Sequence, residues 1–242
     1  MSAPLYVRGA AAWHGERARP AAALMPPRMR GRASPLTAML AQVVQEATHG
    51  AGVDPATLPS VFGSAYGEMA TTGALLAQLW AAGGALSPAK FQASVHNTAA
   101  AQLSIALHNP RFTTSIAAGY DTVAMSLVEA AAWLARHPGQ VLVACADEAP
   151  SAELQPGVDY PPLAAAFVLD NVSGPGLARL ELLSELNVEP GAKPRENPVA
   201  GAVRLASAVL AARRTTVTLH AGYAVRVEPG LPDETIAKER EA

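Results

Sequence analysis

The sequence predicts an α/β protein with a mainly parallel central sheet, and three observations carry that prediction. Strand-like and helix-like segments alternate over most of the 242 residues, the pattern of a chain that crosses repeatedly over one sheet. The run QVLVACA at 140–146 is continuously apolar, as expected of a strand covered on both faces. The stretch FTTSIAAGYDTVAMSLVEAAAWLAR at 112–136 reads as a strand, a small-residue turn and a long helix without a break. Half of all residues are hydrophobic, so the chain can bury a sizeable core.

In chain order, residues 5–13 read as a first strand, followed by a Pro- and Arg-rich surface connection through Arg32. Ser34 before Pro35 is an N-cap followed by proline in the first turn, and Leu36, Met39, Leu40, Val43, Val44 and Ala47 then recur at helical spacing as far as Gly50. Asp54-Pro55 opens a turn, and residues 60–66 form a short strand closed by Gly67. A helix is expected over 68–82, stopped by Gly83-Gly84, then a loop over 85–92 and a small-residue helix over 94–107 ended by Asn109-Pro110.

In the central stretch, Phe112, Thr113, Thr114 and Ile116 are strand formers, and Ala117-Ala118-Gly119 permits a tight turn. Val123, Leu127, Val128, Ala131 and Leu134 then mark one helix face up to His137-Pro138-Gly139, with Asp121 in the first turn, where the helix dipole favours a carboxylate. Asp147-Glu148 mark the polar exit of the 140–146 strand. Residues 163–169 form a further strand, and 178–186 is expected to pair beside it across the turn at 173–176. A last helix starts at Asn197-Pro198 and runs to Arg213, and 215–227 reads as a strand pair bent around Gly222. We expect one domain over 1–228 and a disordered acidic tail over 229–242.

A formal charge of −2 argues against general nucleic-acid binding, which needs a basic face. The single cysteine, Cys145, excludes an internal disulfide framework and a thiolate zinc site, and no metal-ligand spacing, phosphate-binding loop or dinucleotide fingerprint is present, so neither metal nor cofactor is expected. There is no apolar run long enough for a membrane span and no signal-peptide pattern, which makes the cytoplasm the expected location.

A strand that ends at a helix N-terminus is a standard seat for a nucleophile. Val95-His96-Asn97-Thr98-Ala99-Ala100, then 114–119 running into a helix, then VLVACADE, together resemble the N-terminal half of β-ketoacyl synthases of the thiolase superfamily. More narrowly they are similar to the chain-length factors, including those of aryl polyene and xanthomonadin-type pigment clusters. The resemblance covers roughly residues 5–169 and implies a thiolase-like half with layered α-β-α architecture. In active ketosynthases the elbow carries a cysteine within an Ala-Cys-small-small-Gly motif. Matching the motif glycine to Gly119 places that cysteine at Ile116, which cannot form a thioester, and Ser115 faces another direction. The family's remaining catalytic residues come from a second half, of which only one helix and a few strands follow residue 169. His220 lies in that remnant outside any family histidine motif.

The resemblance therefore implies a non-catalytic subunit that pairs with an active β-ketoacyl synthase and acyl carrier protein in polyketide or fatty-acid-like biosynthesis. Phe112, Thr113, Thr114, Ser115 and Ile116 would lie at the dimer interface. Arg17, Arg19, Arg28, Arg30 and Arg32 could face an acidic carrier protein or simply solvate a loop. His96 and Asn97 are candidates for a general base and an oxyanion donor, with Asn97 as a helix cap the plainer reading. Asp147-Glu148 stand where α/β ligand sites gather, though such a pair usually solvates a loop. Cys145 in VLVACA is expected to be a buried, inert thiol. Two other readings stay open: an acyl-thioester hydrolase or transferase using Ser115, Cys145 or His96, and a homodimeric module that binds acyl chains or carrier protein.

Overall fold

β1 (Leu5–His14) lies inside the sheet, hydrogen-bonded to a strand on each side. It is one of eight strands among the described residues, with β2 (Ser60–Gly63), β3 (Thr113–Ile116), β4 (Gln140–Asp147), β5 (Leu163–Asp170), β6 (Ala178–Ser184), β7 (Thr215–His220) and β8 (Tyr223–Pro229). The helices are α1 (Pro27–Arg30), α2 (Pro35–Ala51), α3 (Met69–Ala81), α4 (Pro88–Gln92), α5 (Thr98–Leu107), α6 (Thr122–Arg136) and α7 (Ala200–Leu210). The structure is a computed structural model and describes residues 4–15, 20–81, 85–151, 154–155, 158–184, 196–220 and 222–230. The expected acidic tail lies outside these residues beyond Gly230, as do Arg17 and Arg19.

All eight strands join one sheet in the order β3-β2-β4-β5-β1-β6-β8-β7. The α/β layering is as expected, but the sheet is mixed and not mainly parallel: only β2/β3 and β2/β4 run parallel, and the other five neighbouring pairs are antiparallel. The cause is the connections. Parallel neighbours need a crossover, which the α3–α5 segment supplies between β2 and β3, and α6 between β3 and β4. Among the described residues, β4 to β5 and β7 to β8 return without a helix, and they pair antiparallel. β6 also departs from expectation. It pairs with β1 and β8, because β1 already occupies the place beside β5.

Local signals explain most helix ends. Ser34 Oγ accepts the Thr37 amide at 3.0 Å, Pro35 follows, and α2 closes on Gly52 in the left-handed region at φ +66°. Residues 85–92, expected as a loop, contain α4, capped by Ser87 with Pro88 behind it. α5 begins at Thr98, four residues later than expected.

One face of the sheet packs α2 and α5 against Phe62, Leu142, Ala144 and Val168. The other packs α6 and α7 against Val61, Val143, Phe167, Leu180, Val217 and Val225 in one continuous core. α6 touches β2 and β4 at one end of the sheet and β7 at the other, so the sheet curls around α6 and α7 and holds them as a middle layer. Between β6 and β8 the outer face carries cross-strand ion pairs, Arg179 with Glu228 and Arg226 with Glu181.

Candidate functional site

The elbow between β3 and α6 is the natural place to look for chemistry. Ile116 is still strand: it pairs with Gly63 of β2, its carbonyl accepts the Ser64 amide at 3.1 Å, and its side chain packs on the core. The turn itself falls on Ala117, Ala118 and Gly119, with Gly119 at φ +56°, and Ala118 precedes the single 3-10 turn that leads into α6. Ile116 thus precedes the turn, and Ala118 lies within it. Neither side chain can attack a thioester. The Ala118 amide, which could serve an oxyanion, donates instead to Thr122 Oγ1 at 3.0 Å, and Thr122 Oγ1 donates to the Gly119 carbonyl at 2.6 Å. Thr122 is buried, so the hydroxyl is fixed there.

Ser115 and His96 line the same small cavity with Ser64, Leu36 and Ala99, and its volume of about 10 Å³ holds at most one water. His96 Nε2 lies 2.7 Å from the Ser64 carbonyl, so it must carry the proton and donate; it cannot act there as a base. Asn97 is exposed and occupies the N-cap of α5, yet its side chain makes no capping bond. Cys145 is buried against Ser126 and Gly63, and burial pushes its thiol up to about 12. Phe112 stacks on Trp133 at 4.1 Å, and Trp133 stacks on His137. Arg28 and Arg32 are exposed, while Arg30 is drawn back to the Met25 carbonyl at 3.0 Å.

Two arrangements were not expected from sequence. Asp147 and Glu148 do not solvate a loop; both are buried. Asp147 accepts Ser64 Oγ at 2.7 Å and the Ala65 and Tyr66 amides at 2.7 and 3.2 Å, which shapes the segment after β2. Burial raises its pKa to about 6. Glu148 caps α3 through the Ala70 amide at 2.9 Å, and buried Glu68 accepts from Ser34 and Thr37; desolvation raises both pKa values. Beside the elbow, Asp121 Oδ1 meets His220 Nδ1 at 2.8 Å, and Tyr120 stacks on the His220 ring. Ninety-nine residues separate that pair, and no local motif announces it.

Tyr66, Tyr120 and Tyr160 interact electrostatically with one another and with Asp147, and the buried Tyr160 hydroxyl has no hydrogen-bond partner among the described residues. Among the described residues no group of three or more His, Cys, Asp or Glu is placed to hold a metal ion. No helix among them is long and apolar enough to cross a membrane.

Comparison with solved structures gives a consistent fold. One is the ketosynthase (ApeO) in complex with its chain length factor (ApeC) from Xenorhabdus doucetiae, at 20% identity and TM-score 0.63, over 84% of this chain and 81% of that chain. Another is the ishigamide ketosynthase/chain length factor, at 16% identity and TM-score 0.57, over 76% of this chain and 68% of that one. A third is AntDE:AntF, a type II PKS acyl-carrier protein in complex with its ketosynthase bound to the hexaketide, at 14% identity and TM-score 0.59, over 76% and 70%. No curated protein sequence matches. The family model for the β-ketoacyl synthase N-terminal domain matches residues 7–224, nearly the whole described fold with its elbow and middle helices, and by that match the chain belongs to the β-ketoacyl synthase N-terminal domain family.

Proposed function

We propose that this chain is a non-catalytic, chain-length-factor-type subunit that pairs with an active β-ketoacyl synthase and helps to shape its acyl pocket. The observation that carries this reading is the disarmed elbow: alanine at the turn, isoleucine before it, and the Ala118 amide already bonded to Thr122. The open outer edge of β3, at the end of the sheet, suits pairing with a second subunit. Solved ketosynthase and chain-length-factor complexes share the fold, and one neighbour contains an acyl-carrier protein. The pathway class is polyketide or fatty-acid-like synthesis, aryl polyene synthesis being one such case, and the expected location is the cytoplasm. Arg28 and Arg32, with Arg17 and Arg19, would meet the acidic carrier protein.

The second reading, an acyl-thioester hydrolase or transferase, draws on the Asp121–His220 pair, an oriented imidazole beside the elbow. One experiment separates the two. Purified chain incubated with a short acyl-pantetheine thioester is expected to show no mass adduct and no thiol release above the blank, while co-expression with the ketosynthases of the same genome yields a stable pair. Turnover that is lost in His220→Ala would establish the second reading instead.

A further inference from the structure

α3 is held in place more by carboxyl groups than by apolar packing. Of its 13 residues only Leu75 is buried, so little of the tertiary burial that normally fixes a helix is available to it. Two buried glutamates fix its N-terminal end instead. Glu148, at the exit of β4, accepts the Ala70 amide at 2.9 Å. Glu68, one residue before α3, accepts Ser34 Oγ at 2.9 Å and Thr37 Oγ1 at 3.0 Å from α2. The side-chain bonds that α3 makes further along are longer: Thr72 Oγ1 to the Ser94 carbonyl at 3.4 Å, and Gln78 to the Ala85 carbonyl at 3.2 Å and to Lys90 at 3.5 Å.

The chain just before these anchors is built to turn. Gly67 has φ +69°, in the left-handed region, and a Cβ added there would stand 3.0 Å from His96 Cα. Asp147 holds the residues upstream of this turn, through Ser64, Ala65 and Tyr66. The two glutamates hold those downstream. Against α3 lies a cavity of about 710 Å³, lined by Met69, Gly73 and Trp80 of the helix and by Ala149, Ser151 and Leu154. The helix therefore has both a hinge and space to move into.

The charges around the two glutamates do not balance them. Glu68 is 1% exposed and Glu148 9%, and among the described residues neither carboxyl comes within ion-pair distance of a cation. α2 offers them the hydroxyls of Ser34 and Thr37, α3 that of Thr71, and β4 the Asp147 carboxyl. His96, before α5, donates to the Ser64 carbonyl and interacts with Asp147, which Tyr120 and Tyr160 also face. Lys90 of α4 is committed to Gln78. Each glutamate thus ionises where water is scarce: desolvation raises both pKa values, and the Glu68 charge raises that of Glu148 further.

We propose that Glu68 and Glu148 form a proton-operated latch on α3: while the pair holds a proton the helix is seated, and when both carboxyls are ionised it is released to swing about Gly67 toward the cavity. The sign follows from linkage. A carboxyl that binds its proton more tightly in the seated state than in the released, solvated one stabilises the seat at low pH, and that contribution is lost as pH rises through the raised value. Release therefore belongs to the alkaline side. The device resides in this chain alone and needs no partner.

Amide hydrogen exchange of the purified full chain reads the seat, expressed as protection factors so that the intrinsic pH dependence of exchange divides out. In the wild type, protection over 69–81 should fall roughly tenfold, relative to that of β4 and β5, between about pH 5.5 and about pH 8.5. Glu148→Gln keeps an acceptor for the Ala70 amide, and Glu68→Gln keeps one for Ser34 and Thr37. In each variant, checked for native circular dichroism, the relative fall should shrink to about threefold or less. Asp147→Asn, which acts upstream of the hinge, should keep the wild-type fall. A flat wild-type profile overturns the proposal without recourse to any variant. So does a fall that survives in both glutamine variants, or one that vanishes only in Asp147→Asn, since either assigns the pH dependence to another group.

Discussion

Asp147 shows how one residue can look like a loop solvator and act as a structural acceptor. It is fully buried at the end of β4 and satisfies Ser64, Ala65 and Tyr66, while its own carbonyl takes the Asn197 side chain at 2.8 Å. Desolvation raises its pKa from 3.8 to about 6, so the folded chain holds the proton more tightly than the unfolded one. The resulting stabilisation is complete below the unfolded pKa and disappears as pH rises through about 6, about 3 kcal/mol in all. Buried Glu68 and Glu148 act in the same direction. Asp147→Asn removes this titration, so the stability difference between wild type and variant should move toward the wild type by about 1 kcal/mol between about pH 7.5 and about pH 5. Urea denaturation at the two pH values measures it, and a flat difference would refute it.

Cys145 gives a second prediction at this scale. A thiol buried at 1% exposure, with its pKa pushed up, should not react with iodoacetamide in the native chain and should take one equivalent in guanidinium, read by intact mass.

Among the elements, the elbow depends on how closely α6 lies on β2 and β4. A Cβ on Gly63 would stand 2.5 Å from Ser126 Oγ, 2.8 Å from Cys145 Sγ and 3.1 Å from Thr122 Cγ2. Gly63→Ala must therefore shift α6, and Thr122 with it, away from the Ala118 amide. We expect a loss of about 2 kcal/mol in equilibrium unfolding. Gly201 plays the same part for α7, since a Cβ there would meet the Leu219 backbone at 2.6 Å. The charged ladder on the outer face of β6 and β8 contributes little by comparison, because its pairs are partly exposed.

At the scale of the whole molecule, α6 and α7 bury residues from both ends of the sheet in a single core, so one cooperative unfolding transition is expected. Asn197 fastens the seam: buried, it donates to the carbonyls of Asp147 and Pro161 and accepts the Val199 amide. Asn197→Ala strands those groups and should cost about 2–3 kcal/mol without splitting the transition. Far-UV circular dichroism and tryptophan fluorescence should report the same midpoint for wild type and variant. Separate transitions would show that β6, α7, β7 and β8 fold independently of the elbow.

The sequence by itself determined the strands and helices that have a local signature. Ser34-Pro35 marks the start of α2, QVLVACA is a strand buried on both faces, and the small residues after Ile116 are the turn into α6, because capping, periodicity and turn chemistry act within a few residues. It also put Ile116, which has no nucleophilic group, just before that turn.

Strand order was decided only by the tertiary structure. The placing of β1 between β5 and β6, the curl of the sheet around α6 and α7, and the burial of Asp147 and Glu148 all arise from pairings between distant segments. The same holds for Asp121 and His220, brought to 2.8 Å across 99 residues. Such contacts are selected by the packing of the whole core, and that free energy is not written in any one window of the chain.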